Sequence, residues 1–316
     1  MPGAPGPPPT APPDVVALAT TFGLDPAGAE VVRAASRHVV RFPASQVRTF
    51  AVPSGTSGPR QEAAVATLLA EAGVPAARRL AGPAPIEGWS VTAWREIDGA
   101  EAAAAPVGAD VVGALAARLH RATGDLDPRG LVICDPLGAA LEQLSLAVAA
   151  GATPEGELAV LRGEATRLEP VWLGAVDRAR ALSAGAEATA DGTATGRGAI
   201  LHGDLHPGNV VVGAQGPVLV DLELAGWGPR AYDAAPTVAF GRWYDGGPDE
   251  AAAFDAAYGA PLTAEATAAG LDEVWGLWSA CWAVANRHRS AADEDEAAVR
   301  LATLATGTAP RPWRLR

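Results

Sequence analysis

Residues 202–209 read HGDLHPGN, and Asp221 follows twelve residues after Asn209, closing the apolar run Val218, Leu219 and Val220. This pairing constrains the chain more than any other segment. Val210, Val211 and Val212 are β-branched, Gly213, Ala214, Gln215, Gly216 and Pro217 have turn character, and the apolar run resumes at Val218, so the stretch reads as a hairpin. Asn209 and Asp221 stand at its open end, where facing side chains lie ~5 Å apart. An amide oxygen and a carboxylate at that spacing can share one divalent cation, and oxygen ligands of this kind suit Mg²⁺. Asp204, on the loop entering the first strand, is left to face a nucleophile.

A histidine, an aspartate two residues on and an asparagine five residues later stand in the same order in the catalytic loop of protein-kinase-type phosphotransferases. HGDLHPGN, then VDLELAGWGPRAYDAA from Val220, resembles the catalytic core of the aminoglycoside phosphotransferase family, whose fold is similar to that of protein kinases. RQEAAVATLLAEAGVPA resembles that family's first helix with its inward glutamate. SVTAWREIDG resembles the strand leading to the interlobe hinge, and ALAARLHRAT the helix before the insert. These islands span roughly residues 36–240. The resemblance implies that Asp204 positions a substrate hydroxyl and can deprotonate it, and that Asn209 and Asp221 hold Mg²⁺ on the phosphates of ATP. It further implies that Glu62 pairs with a basic residue on those phosphates, and that backbone groups around Trp94 and Glu96 bond the adenine. His202 reads as holding the loop backbone, His206 as structural, and Asp233 as a brace on the loop from the start of the next helix.

The chain contains no lysine. Protein kinases hold the nucleotide phosphates with a strand lysine paired to a helix glutamate. Val65, Leu68, Leu69 and Ala72 make a helical apolar stripe, and Glu62, three residues before Val65, shares its face. A carboxylate there needs a partner, which in this chain must be arginine. Arg48 alternates with Phe50 and Val52 in VRTFAV and is the first choice, with Arg41 in HVVRFP next. Arginine can bind phosphate bidentately. In place of the family's small phosphate-covering loop stands AASRH, without glycine, where Ser36 can offer an amide and a hydroxyl. GTSG at 55–58 lacks the Lys-Ser/Thr of a phosphate loop and reads as the lead into the Glu62 helix.

With 24 basic and 36 acidic residues the formal charge is −12. That argues against nucleic acid or an anionic membrane as partner and is compatible with a cationic small-molecule hydroxyl acceptor. Cys134 and Cys281 fit no metal spacing and no disulfide framework, consistent with a reducing cytoplasm. MPGAPGPPPTAPP lacks the basic region and apolar core of a signal peptide. The longest apolar stretch, near 274–285, is too short to span a bilayer.

The expected class is α+β, a protein-kinase-like fold of two lobes, which 316 residues can supply. Residues 1–13 read as a disordered Pro-rich tail. Residues 14–97 read as the nucleotide-binding lobe: strands at VVRAA, HVVRFP, VRTFAV, RRLAG and SVTAWREI in an antiparallel five-stranded sheet, plus the Glu62 helix. Residues 98–316 read as the larger, mainly helical lobe for catalysis and acceptor binding. DGAEAAAAPVG is its hinge, GAEATADGTATGRG a flexible connector, and the segment between them carries one long helix or two broken at Pro170. Trp275, Trp278 and Trp282 share a helix face and read as core, while Asp245, Asp249, Glu250 and Asp255 are candidates to face a cationic acceptor. The acidic run at 293–296 reads as a helix start.

The expected activity is ATP- and Mg²⁺-dependent phosphoryl transfer to a small-molecule hydroxyl. Two alternatives remain open on the sequence. His202, Asp204, His206 and Asp221 could serve a transition-metal hydrolase, which leaves Asn209 and Glu62 unexplained. The missing lysine could instead mark a nucleotide-binding module without turnover.

Overall fold

The computed structural model describes residues 12–34, 38–54, 58–98, 107–149, 153–184 and 196–314. Most of the Pro-rich tail, Ser36, the start of GTSG, most of the hinge and most of the connector lie outside the described residues. The chain divides into two compact units, Met1–Ala105 with Val211–Glu223 and Pro106–Val210 with Leu224–Arg316.

The first unit opens with helix α1 (Val15–Phe22) in a segment for which no element was expected. Val15, Val16, Thr20 and Thr21 are β-branched and weaken helix propensity. Packing overrides them: Leu18 and Ala19 are buried against the sheet, and the helix stops at Gly23, whose φ of 64° is left-handed. Strands β1 (Glu30–Ala34), β2 (His38–Phe42) and β3 (Val47–Pro53) precede helix α2 (Gly58–Glu71), and β4 (Arg79–Ile86) and β5 (Trp89–Arg95) follow it. All five expected strands form, in one antiparallel sheet of order β1-β2-β3-β5-β4.

Alternation splits the sheet's faces. Val40, Phe42, Val47, Ala51, Val91 and Ala93 join α1 in one core, so Arg41, Arg48, Phe50 and Trp94 turn to the opposite face. On α2 the buried stripe is Glu62, Val65, Ala66 and Leu69, at i, i+3, i+4 and i+7, while Ala72 lies past the helix end and is exposed. The expected stripe was therefore one turn too long. Fully buried Leu69 contributes ~1.5–3 kcal/mol.

The second unit begins with α3 (Ala109–Thr123), α4 (Pro136–Ala149), α5 (Glu155–Ala184) and β6 (Gly198–Leu201). α5 runs through Pro170 as one helix of 30 residues. Proline deprives the carbonyl four residues earlier of its donor and crowds it, and the helix nevertheless continues on both sides. The expected hairpin then forms as β7 (Val210–Gly213) and β8 (Gly216–Leu219), with its turn shortened to Ala214 and Gln215. Its outgoing strand is tied into the first unit, where Leu219 N–H donates to Pro75 O and Ala77 N–H to Leu219 O, each at 2.8 Å.

The chain returns to the second unit with β9 (Gly226–Pro229), antiparallel to β6, and helices α6 (Ala235–Trp243), α7 (Pro248–Tyr258), α8 (Leu262–Ala268), α9 (Leu271–Asn286) and α10 (Ala291–Thr306). Trp275 and Trp278 of α9 are buried, and Trp282 is half-buried with the Arg289 guanidinium 5.5 Å from its ring centre. Among the described residues no helix is long and apolar enough to cross a membrane.

The acidic run does start α10, with Ser290 Oγ capping Asp293 N–H at 3.1 Å, but its last member turns inward. Glu296 is 1% exposed and accepts from Arg300 Nε and Arg311 Nη1, both at 2.9 Å. Arg300, also buried, donates to Ser279 O at 3.0 Å and Arg314 O at 2.7 Å. Its guanidinium lies 5.0 Å from the Trp313 ring and 5.7 Å from that of Tyr244. A buried ion pair is tolerable when every donor is met in this way. The cluster clamps the segment carrying Trp313 onto α6, where Trp313 stacks on Trp243 at 4.7 Å.

Candidate active site

The loop after β6 is shaped by residues that leave it little choice. Gly203 has φ 85°, and a Cβ there would sit 2.6 Å from Leu224 O, so glycine is required. Its N–H donates to Asp233 Oδ1 and the His202 N–H to Asp233 Oδ2, each at 2.9 Å. Asp233 is fully buried, and His120 Nε2 meets the same Oδ2 at 3.0 Å. His120 Nδ1 lies 3.0 Å from the Tyr258 hydroxyl. One tautomer satisfies both contacts: Nε2–H donates to Asp233 and Nδ1 accepts from tyrosine. Burial pushes the Tyr258 hydroxyl up to about 12, so it keeps the proton it donates.

Beyond Gly203, the loop tightens into a 3-10 turn at Pro207–Asn209. His206 Nδ1 accepts from Gly208 N–H at 3.0 Å, and Asn209 N–H donates to His206 O at 2.9 Å. The Asn209 amide then reaches back, its Nδ2 donating to Asp204 O at 2.8 Å and to Asp204 Oδ2 at 3.2 Å. With the NH₂ side held there, the amide oxygen is the atom turned away from Asp204. His202 is fully buried, and its Nδ1 is a distant 3.4 Å from the Asp204 N–H.

Asp204 receives a further donor that sequence reasoning assigned to the core: Trp275 Nε1–H, 2.7 Å from Oδ1. His206 Nε2 stands 3.6 Å from Oδ2. Burial drives the Asp204 carboxyl upward, but His206, the Trp275 N–H and His202 together outweigh it, and the group settles at about 2. It is an anion throughout the neutral range.

Beside this loop lies a cavity of about 280 Å³, walled by Pro207, Val112, Phe240 and Tyr244 and edged by Asp245 and Glu250. Phe240 packs edge-on against His206 at 5.8 Å and against Trp275 at 5.7 Å, so one aromatic cluster joins the cavity wall to the loop. Of the four candidate acidic residues, Asp245 and Glu250 face the cavity. Asp249 is exposed, and Asp255 accepts from Thr263 N–H at 3.0 Å.

In the first unit two basic residues gather on one carboxylate. Arg48 Nε and Nη2 lie 3.0 and 2.9 Å from Glu96 Oε1, and Arg41 Nε lies 2.7 Å from the same oxygen. Arg41 also reaches Glu30 at 3.3 Å. Both arginines therefore meet at Glu96. Strand register brings them there. Arg48 faces Arg41 on one side and Trp94 on the other, and Glu96, two residues past Trp94, projects from the same face.

Of the backbone groups around Trp94 and Glu96 expected to bond adenine, two amides hold partners within the fold. Arg95 N–H donates to Arg78 O at 2.8 Å and Glu96 N–H to Gln46 O at 2.9 Å. Trp94 is buried, its Nε1–H donating to Thr92 Oγ1 at 2.9 Å. Sheet pairing simply continues past the strand end. Glu62 is buried on α2, 7% exposed.

Asp221 follows β8 with φ 62°, a left-handed backbone that aspartate adopts more readily than most residues. Asn209 and Asp221 each carry an oxygen donor, the ligand type that a small hard cation such as Mg²⁺ takes from a protein. Among the described residues, no three His, Cys, Asp or Glu side chains are grouped so as to hold a metal ion. The donor chemistry thus suits Mg²⁺ with phosphate and water completing its shell, and gives no support to a histidine-rich transition-metal centre.

Residues 31–271 match the model of a family described as the phosphotransferase enzyme family. No curated protein sequence matches the chain. Among solved structures, an amicoumacin kinase in complex with AMP-PNP, Ca²⁺ and its ligand aligns with TM-score 0.61 at 13% identity, covering 92% of each chain. A choline kinase from Streptococcus pneumoniae gives 0.54 at 14%, covering 90% of this chain and 96% of that one. An aminoglycoside phosphotransferase from Streptomyces rimosus, in complex with ADP and streptomycin, gives 0.53 at 19%, covering 84% and 97%. At these identities the likeness is one of fold.

Proposed function

The chain belongs to the phosphotransferase enzyme family, and from that membership we propose that it moves the γ-phosphoryl group of ATP to a hydroxyl of a small molecule. The observation that carries this reading is the Asp204 carboxylate, held ionised by donors on both oxygens in the loop that walls a small acidic-edged cavity. An acceptor in that cavity brings its hydroxyl to Asp204, which accepts the O–H hydrogen bond and aims the oxygen at the phosphorus. Asp245 and Glu250 favour an acceptor that carries a positive charge, and the volume favours one of few rings.

Asn209 through its amide oxygen and Asp221 through its carboxylate would hold Mg²⁺. Bound there, the ion neutralises charge on the transferring phosphates. Arg41 and Arg48, gathered on one sheet face by Glu96, are the basic groups we assign to the phosphates in place of a lysine. Guanidiniums can bind phosphate oxygens bidentately, which is the role a lysine would otherwise fill. Glu62 is assigned to bracing that phosphate side from α2.

Asp221→Asn tests the metal assignment. It removes the ligand's charge but not its shape; a loss on the scale of one hydrogen bond to a charged group, ~1.5–3 kcal/mol, predicts that Mg·ATP affinity falls roughly 10- to 100-fold by calorimetric titration. Affinity for ATP with Mg²⁺ chelated should be unchanged. Wild-type affinity for Mg·ATP in the variant would remove Asp221 from the metal site.

A further inference from the structure

We propose that Trp275 is a positioning residue for transfer: its indole N–H fixes the Asp204 carboxylate in the orientation that receives the acceptor hydroxyl. The inference rests on the role given to Asp204 above. Three side-chain donors approach that carboxylate, and the shortest contact is the indole's, 2.7 Å, against 3.2 Å for Asn209 Nδ2 and 3.6 Å for His206 Nε2. Trp275 binds Oδ1 and Asn209 binds Oδ2, so the two donors together stop the carboxylate turning about its own bond. A carboxylate held at one oxygen could still swing.

The indole is itself immobilised. Trp275 is 3% exposed, so its N–H has no water to turn to and needs this acceptor. Phe240 meets its ring edge-on at 5.7 Å and an 86° interplanar angle, and Tyr244 flanks it at 6.3 Å. Phe240 and Tyr244 also wall the cavity. The acceptor's seat and the donor that aims Asp204 are therefore one packed cluster, and an acceptor filling the cavity presses on the residues that hold the indole. Core packing alone accounts for a buried ring at this position. It does not account for the direction of the N–H.

Two measurements test the role. In ¹⁵N-labelled protein, the indole resonance that disappears in Trp275→Phe should lie downfield of the others and should move in Asp204→Asn, while that of Trp278 stays in place. In steady-state assays, loss of a hydrogen bond to a charged group predicts that Trp275→Phe lowers kcat about 10- to 100-fold, with KM for nucleotide and acceptor within about twofold. Trp278→Phe, which loses the same ring area one turn along the same helix, should keep kcat within about twofold. An indole signal indifferent to Asp204→Asn overturns the proposal, as does a kcat loss shared equally by the two phenylalanine variants. A wild type that transfers phosphate to nothing would remove the activity itself, and the resonance measurement would still decide whether the indole holds the carboxylate.

Discussion

Asp204→Asn should lower the rate of phosphoryl transfer by roughly 10²- to 10⁴-fold, the range for loss of a positioned acid–base group, with Mg·ATP affinity unchanged. The reason is partly charge and partly geometry. The native carboxylate accepts from Trp275 on one oxygen and from Asn209 on the other. An amide can satisfy only one of these, because its NH₂ then faces another donor. The side chain or Asn209 must turn, and no anion remains for the acceptor hydroxyl.

The low pKa bears on the role proposed for Asp204. A group near 2 that had to deprotonate a hydroxyl of pKa ~16 outright would face ~19 kcal/mol at ~1.36 kcal/mol per unit. That is too much of the barrier to assign to one proton. A loose transition state, with little bond formation to the nucleophile, does not ask for it. The role proposed for Asp204 is therefore to orient the hydroxyl and accept its proton late. Stopped-flow or steady-state kinetics beside nucleotide titration would check this prediction. Wild-type kcat in Asp204→Asn would end the assignment.

The largest stability effect is expected at Asp233. Its buried carboxylate is the acceptor for the His202 and Gly203 amides and for His120. Asp233→Ala leaves those donors buried without a partner, and breaking a buried charged network from one side costs about 3–5 kcal/mol. Of the nine tryptophans all but Trp89 and Trp94 belong to the second unit, so urea unfolding followed by their emission reports on the right part of the molecule. A loss below about 1 kcal/mol would mean that water or a rearranged loop replaces the carboxylate. Because the same amides shape the turn before Asp204, transfer should fail in this variant even below its unfolding midpoint.

The loop was legible in advance because its meaning is local: HGDLHPGN places an aspartate, a turn-forming Pro-Gly and an amide within eight residues. The five strands and their α+β setting were legible for the same reason, since β-branched alternation is a local pattern. Contacts built across the fold were not. Glu96 draws its guanidiniums from β2 and β3, 55 and 48 positions earlier in the chain. Nothing near Glu96 announces that its carboxylate gathers two arginines from other strands.

Trp275 poses a harder problem. Its spacing with Trp278 and Trp282 is that of any buried helix face, and only the direction of one N–H separates it from its neighbours. The acidic residues after α6 show the same limit. Asp245 and Glu250 reach the cavity while Asp249 and Asp255 do not, a distinction set by which side of a short turn and helix each occupies. α1 escaped notice because its β-branched residues argue against the helix that packing imposes.

Transfer to a small-molecule hydroxyl is tested most directly by following the phosphoryl group itself. Wild-type protein is incubated with Mg²⁺, ATP isotopically labelled in the γ-phosphate, and a panel of amino alcohols, amino sugars and their uncharged analogues, with products read by mass spectrometry. The expected products are labelled phosphoryl on an acceptor oxygen and one ADP per phosphorylated acceptor, with preference for the charged member of each pair. ATP left intact, or hydrolysed to free phosphate at a rate no acceptor changes, would contradict it.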